Sequence, residues 1–380
     1  MASYHQMGHD SRNLLDEADL VAYRGAILSP VNEPQARMVE FLAGLASLPD
    51  FETLFDPQLY YPNTQRDTLR QWPYFPQDVE TADTASDAWW NALTDRLVDV
   101  CVDLGVRTVA SPVQVPGAFT NGFYSSCVQN ARHLHERLEK TTPRIRGMQT
   151  AVMSLPDLTQ SDRPMATASI LSQTPFDRIY IVFTGGVEPR REITNTDQLK
   201  GAMRFIAALK DAGLRVLVGY TSTDVLLWKA AGAHDCASGK FFNLRRFTDA
   251  RFDDPTGGGG QLPYLIEESL VAFLRDSDVL HVDEQGMLSE ATLQNPYYAP
   301  IRDAITDGSA WLALSWRFYL YWFAEVQDRI ETGLLDVRAH LREAEQRWLE
   351  LEDADVLMEE PRNDGKWLRA WRRALAEYQR

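Results

Sequence analysis

Residues 178–238, RIYIVFTGGVEPRREITNTDQLKGAMRFIAALKDAGLRVLVGYTSTDVLLWKAAGAHDCAS, alternate short apolar runs with helical patterns. RIYIVF and LRVLVG are near-continuous runs of branched and aromatic residues, the pattern of strands covered on both faces of a parallel sheet. Between them DQLKGAMRFIAALKDAG has apolar residues at helical spacing and ends in the Gly favoured past a helix C-terminus. STDVLLWKAAGA repeats the device before a short strand at HDCAS, from His234. Working outward, the alternation runs from about residue 21 to 285, with further strands at VAYRGAILS from Val21, FETLFD from Phe51, VRTVA from Val106, MQTAVMS from Met148 and DVLHV from Asp278. Eight such units predict a TIM-type (β/α)8 barrel over residues 21–290, preceded by an arm over 1–20 and followed by a helical appendage over 291–380. An open doubly wound sheet fits less well, because no G-x-G-x-x-G follows any of these strands and the first junction, LSPVNEP, is Pro-rich.

The chain has 380 residues, 44% of them hydrophobic, and a formal charge of −16. That balance excludes a surface that attracts phosphate everywhere, so any nucleic acid must meet a local basic patch or come with a partner subunit. Cys101, Cys127 and Cys236 are too few and too scattered for a disulfide framework or a four-ligand zinc site. No C-x-x-C or H-E-x-x-H occurs, and His133 and His135 point to different sides of a helix, so no structural metal is expected. The polar N-terminus reads as neither a signal peptide nor an anchor, and no run of 18 apolar residues exists, which predicts a cytoplasmic protein without a membrane association.

Polar, turn-forming residues follow nearly every strand, and in a TIM barrel such positions line the face that carries the active site. Asp56, Asp157, Glu188 and Asp235 stand at or after four of the strands, so up to four acids can face one mouth. Paired carboxylates there divide into nucleophile and acid/base, although an acid at a strand end also serves as a helix cap. Gly185 and Gly186 leave bare backbone after a strand, where a planar ligand can take N–H bonds. Gly257–Gly260 read as a flexible connection or a lid. The aromatic helix from Trp311 to Phe323 and the basic end around Trp367 to Arg373 are either docking surfaces or ordinary core packing.

The order of these features resembles the tRNA-guanine transglycosylases, TIM barrels with a strand-end Asp, a base-recognising Asp, a Gly-Gly turn followed by Glu, and a nucleophilic Asp after a helix ending in Gly. The matching stretches are FDPQ at Asp56, SLPDLTQ at Asp157, TGGVEP over Thr184 to Pro189 and GYTSTDVLLWKAAGAHDCAS over Gly219 to Ser238. The chain departs from the family in two places. The zinc module of three Cys and a His has no counterpart, and the Ser-Gly-Gly-Phe expected after the first Asp is replaced by Pro57, Gln58 and Leu59. DNA-modifying paralogues that insert 7-deazaguanines are similar barrels.

The resemblance implies a base-exchanging glycosyltransferase without a cofactor. Asp235 would attack C1′ of a nucleoside in tRNA or DNA, Asp56 would move protons, and Asp157, Gly185, Gly186 and Glu188 would bind guanine or a 7-deazaguanine. A carboxylate suits this chemistry because the transition state is oxocarbenium-like. Lys240, Arg245, Arg246 and Arg251 follow closely and would hold phosphates. The alternative is a non-catalytic barrel that serves as a subunit of a larger assembly, joined through its C-terminal helices.

Overall fold

The computed structural model describes residues 3–11, 14, 23–45, 48, 50–185, 187–254, 261–356, 358–360 and 362–379. Eight parallel strands close a barrel in sequence order: β1 (Ser3–Gln6), β2 (Gly25–Leu28), β3 (Glu52–Phe55), β4 (Thr108–Ala110), β5 (Arg146–Ser154), β6 (Arg178–Thr184), β7 (Arg215–Val218) and β8 (Asp235–Ser238). The seam is β1 against β8, with Tyr4 opposite Ala237 and His5 opposite Ser238. Helices between the strands cover the outside, and the longest of these, Asp87–Leu104, Asn121–Thr141 and Thr196–Asp211, follow β3, β4 and β6. The expected TIM-type barrel with C-terminal helices is therefore the observed fold.

Two strand assignments change. DVLHV, expected to be the last strand, lies in the helix Asp276–Glu284, and the first strand is SYHQ at Ser3–Gln6, inside the segment expected to be an arm. SYHQ carries no apolar run, and several of its polar side chains are bonded inside the barrel. Tyr4 and Gln6 point into the lumen, where the Tyr4 hydroxyl donates to Glu52 Oε2 at 2.5 Å and Gln6 Oε1 accepts from Tyr180 at 3.3 Å. Ser3, facing out, accepts from Gln327 of the helix Leu312–Glu331 at 2.8 Å. A buried strand whose partners are polar leaves no hydropathy signal. With β8 ending at Ser238, residues 239–290 lie outside the strand cycle.

The C-terminal half folds back onto this frame. A hairpin of β9 (Leu265–Glu267) and β10 (Ala272–Leu274) is clamped by the indoles of Trp322 and Trp348, which donate to Glu268 Oε2 at 2.9 Å and the Leu270 carbonyl at 3.0 Å. The helix Lys366–Glu377 packs on Thr196–Asp211, and Trp371 donates to the Ile193 carbonyl at 2.8 Å. Trp311, Phe318, Tyr319, Phe323, Trp367 and Trp371 are all buried within the chain and pack its core. No helix among the described residues is long and apolar enough to cross a membrane. Gly257–Gly260 lie outside the described residues.

Candidate active site at the C-terminal face

The strand directions sort the acids by end. Asp56 directly follows the last residue of β3 and stands at the C-terminal face. It is 1% exposed, and its carboxylate accepts the Gln58 backbone N–H and the Tyr60 hydroxyl, each at 3.0 Å. Burial pushes its pKa up to about 6, against the pull of those two bonds and of Arg251. Gln58 is itself anchored, accepting from Val31 N at 2.9 Å and Ser29 Oγ at 3.3 Å. Tyr220, just past β7, adopts φ +52°, a conformation rarely taken by an aromatic residue, and Gln58 Nε2 reaches its hydroxyl at 3.5 Å.

Asp235 stands at the other end. It opens β8, and its carboxylate faces Arg24 Nη1 at 3.5 Å and acts on Tyr4 and Arg178 within the lumen. In that layer Arg178 Nη1 donates to Glu52 Oε1 at 2.5 Å, and Thr108 donates to the same oxygen. Glu52, ringed by donors, sits at about 2 although burial alone would raise it. Because β1, β3 and β6 are not neighbours, Tyr4, Glu52 and Arg178 can meet only across the lumen, and the layer is the plug at the N-terminal end. Asp56 and Asp235 therefore do not converge, which corrects the expectation that Asp235 is a mouth nucleophile. The reason is register: β8 is DCAS and begins with its acid, so the strand carries Asp235 at its start and releases Ser238 at its end.

The remaining expected residues disperse over the C-terminal face. Asp157 lies in a 3-10 turn after β5 and receives Arg163 Nε at 2.6 Å. Gly185 follows β6 and is exposed, whereas Gly186 lies outside the described residues. Glu188 is exposed and bound by Arg191 at 3.2 Å and Arg362 at 2.9 Å.

The basic stretch after β8 folds over the mouth. Arg251 Nη2 donates to Ser29 Oγ at 2.7 Å and to the Met7 carbonyl at 3.2 Å. Arg246 is paired with Asp224 at 3.1 Å and faces Glu192 at 3.6 Å, so it is neutralised inside the protein rather than held out for phosphate. Arg245 lies 3.4 Å from the Tyr319 ring centroid and donates to the Gly239 and Lys240 carbonyls. In the same stretch Phe247 and Phe252 pack on Tyr60, the partner of Asp56, at 5.1 and 5.8 Å.

Glu192 and Asp224 were not singled out from sequence. Burial pushes Glu192 up to about 7 and raises Asp224 as well, with Arg246 opposing both. Their signal was position, since Asp224 closes the turn after β7 and Glu192 lies in the loop after β6. A cleft of about 900 Å³ is lined by Arg66, Arg190, Lys240, Arg251, Phe241 and Trp316 among others. A second cleft of about 810 Å³ adjoins it, sharing Arg190, Phe242 and Tyr264.

No family model matches the chain, and no curated protein does. Among solved structures, the carboxyl transferase domain of Rhizobium etli pyruvate carboxylase with pyruvate aligns at a TM-score of 0.38 and 11% identity, covering 98% of this chain and 59% of that one. The same domain with 3-bromopyruvate aligns at 0.35 and 10%, covering 99% and 60%. This chain thus spans about three fifths of the length of those chains. The assignment as a barrel rests on the strand pairing described above.

Proposed function

We propose that the chain exchanges a guanine or 7-deazaguanine base in nucleic acid, with the chemistry at Asp56 rather than Asp235. The observation that carries this reading is the environment of Asp56: a carboxyl at the catalytic end of a TIM barrel, raised to about 6 by burial and oriented by Gln58 and Tyr60. Such a group is largely ionised at neutral pH and fixed in direction. Asp56 Oδ forms a bond to C1′ as the C1′–N9 bond breaks, the departing base takes the electron pair and a proton, and the sugar is held as an ester. The incoming base then attacks C1′ through N9, loses its proton and restores the carboxylate. Tyr60, bonded to Asp56, is the hydroxyl nearest to this proton traffic. Labelled-guanine incorporation into tRNA and into DNA tests the reading. Wild-type exchange that falls by several orders of magnitude in Asp56→Asn supports it, and no exchange of guanine or 7-deazaguanine with either polymer overturns it.

A second reading, a barrel that binds its ligand without turning it over, is favoured by the burial of Asp56. Asp56 is 1% exposed and its partner Tyr60 packs against Phe247 and Phe252, so catalysis requires this packing to open.

A further inference from the structure

Lys240, two residues past β8, is 5% exposed, yet its ammonium makes no hydrogen bond or ion pair among the described residues. Its Nζ is instead suspended between two aromatic faces, 4.7 Å from the ring centre of Phe241 and 4.6 Å from that of Trp316. The surrounding cleft repeats the imbalance. Arg66, Arg190, Arg245 and Arg251 line it, and among the described residues its acid is Glu188, already bound by Arg191 and Arg362. Arg251 also keeps Nε and Nη1 without partners. Burial lowers the Lys240 pKa, with Asp10 and Glu33 opposing from beyond ion-pair distance, and the rings that embrace the ammonium recover only part of the cost of desolvating it.

We infer that this cleft is a binding site for a phosphate ester carrying an aromatic group, with Lys240 taking the phosphate oxygens and Trp316 offering a face to the ring. Phosphate brings several acceptors to a cleft rich in cations, and lysine binds it as a point charge without demanding planar geometry. A base stacked on an indole gains affinity irrespective of its identity. A volume of about 900 Å³ suits a nucleotide-sized ligand rather than a lone ion. The same chemistry is offered by a free nucleotide and by a nucleic-acid strand. The inference holds whether or not Asp56 turns a substrate over, because binding at Lys240 and exchange at Asp56 are read separately.

Calorimetric titration of the full chain with inorganic phosphate, guanosine monophosphate and a short single-stranded oligonucleotide tests it, on wild type and on Lys240→Met, which keeps the apolar stem and removes the charge. Binding of the nucleotide or the oligonucleotide should be tighter than that of phosphate and should weaken about ten-fold or more in Lys240→Met, as expected for a charge-assisted bond. Lys240→Arg should retain most of the affinity, which separates lost charge from lost packing. An oligonucleotide that binds more tightly than the nucleotide, with a steep salt dependence, identifies a strand as the ligand, and the reverse order identifies a free nucleotide. Absence of binding by all three probes, affinity unchanged in Lys240→Met, or equal affinity for phosphate and nucleotide overturns the inference.

Discussion

Asp56 and Asp235 occupy opposite ends of one lumen: the first directly follows β3 and accepts from Tyr60 at 3.0 Å, and the second opens β8 and faces Arg24 at 3.5 Å. The two acids therefore belong to different functions of the barrel. In this fold the C-terminal end carries chemistry and the N-terminal end carries stability. Four predictions follow from that division.

Asp56 should make the fold less stable as pH rises. Its pKa in the folded protein, about 6, exceeds the ordinary 3.8, so between those values the folded state binds more protons than the unfolded one, and stability falls across that window. Asn at position 56 does not titrate. Denaturant unfolding of wild type and Asp56→Asn should diverge in favour of the variant by on the order of 2–3 kcal/mol as pH climbs through this window. Parallel curves would mean that Asp56 is not held protonated by burial.

Glu52 behaves in the opposite sense. Held at about 2 against an ordinary 4.5, it contributes stability that is complete above 4.5 and is lost as pH falls toward 2. Glu52→Gln leaves Arg178 buried without its counter-charge and should cost about 3–5 kcal/mol, whereas Glu52→Leu combined with Arg178→Met should recover much of that loss. Thermal unfolding of the two variants checks the order.

Asp235→Asn should leave base exchange and cleft binding within about two-fold of wild type, because the side chain touches Arg24 at the far end of the lumen. A loss of exchange as large as that of Asp56→Asn, with the variant still folded, would restore Asp235 to the reaction.

Phe247 is expected to limit access to Asp56 through its packing on Tyr60, the partner of that carboxylate. Its ring packs on Tyr60 at 5.1 Å and on Tyr220 at 5.3 Å, and truncation to Ala should cost about 3–5 kcal/mol while opening the lumen. Carbodiimide coupling followed by mass spectrometry should label Asp56 slowly in wild type and faster in Phe247→Ala. Equal rates would show that residues 247–252 do not guard the carboxylate.

The sequence by itself determined the architecture. Apolar runs such as RIYIVF and LRVLVG, separated by amphipathic helices that end in Gly, leave a parallel barrel as the economical way to cover every strand. It also singled out Asp56, because an acid following an apolar strand marks the C-terminal face wherever that strand ends. Tertiary structure decided the rest. SYHQ is accommodated as a buried strand with Glu52, Tyr180 and Gln327 bonded to Tyr4, Gln6 and Ser3, and none of those partners is near it in sequence. Whether an acid in HDCAS opens the strand or ends it depends on register against β1 and β7, which hydropathy does not encode. The fate of the basic stretch is likewise a matter of three-dimensional pairing. Arg246 finds Asp224 and Glu192, whereas Lys240, six residues earlier, lies between two aromatic rings, and no pattern of charges along the chain distinguishes the one from the other.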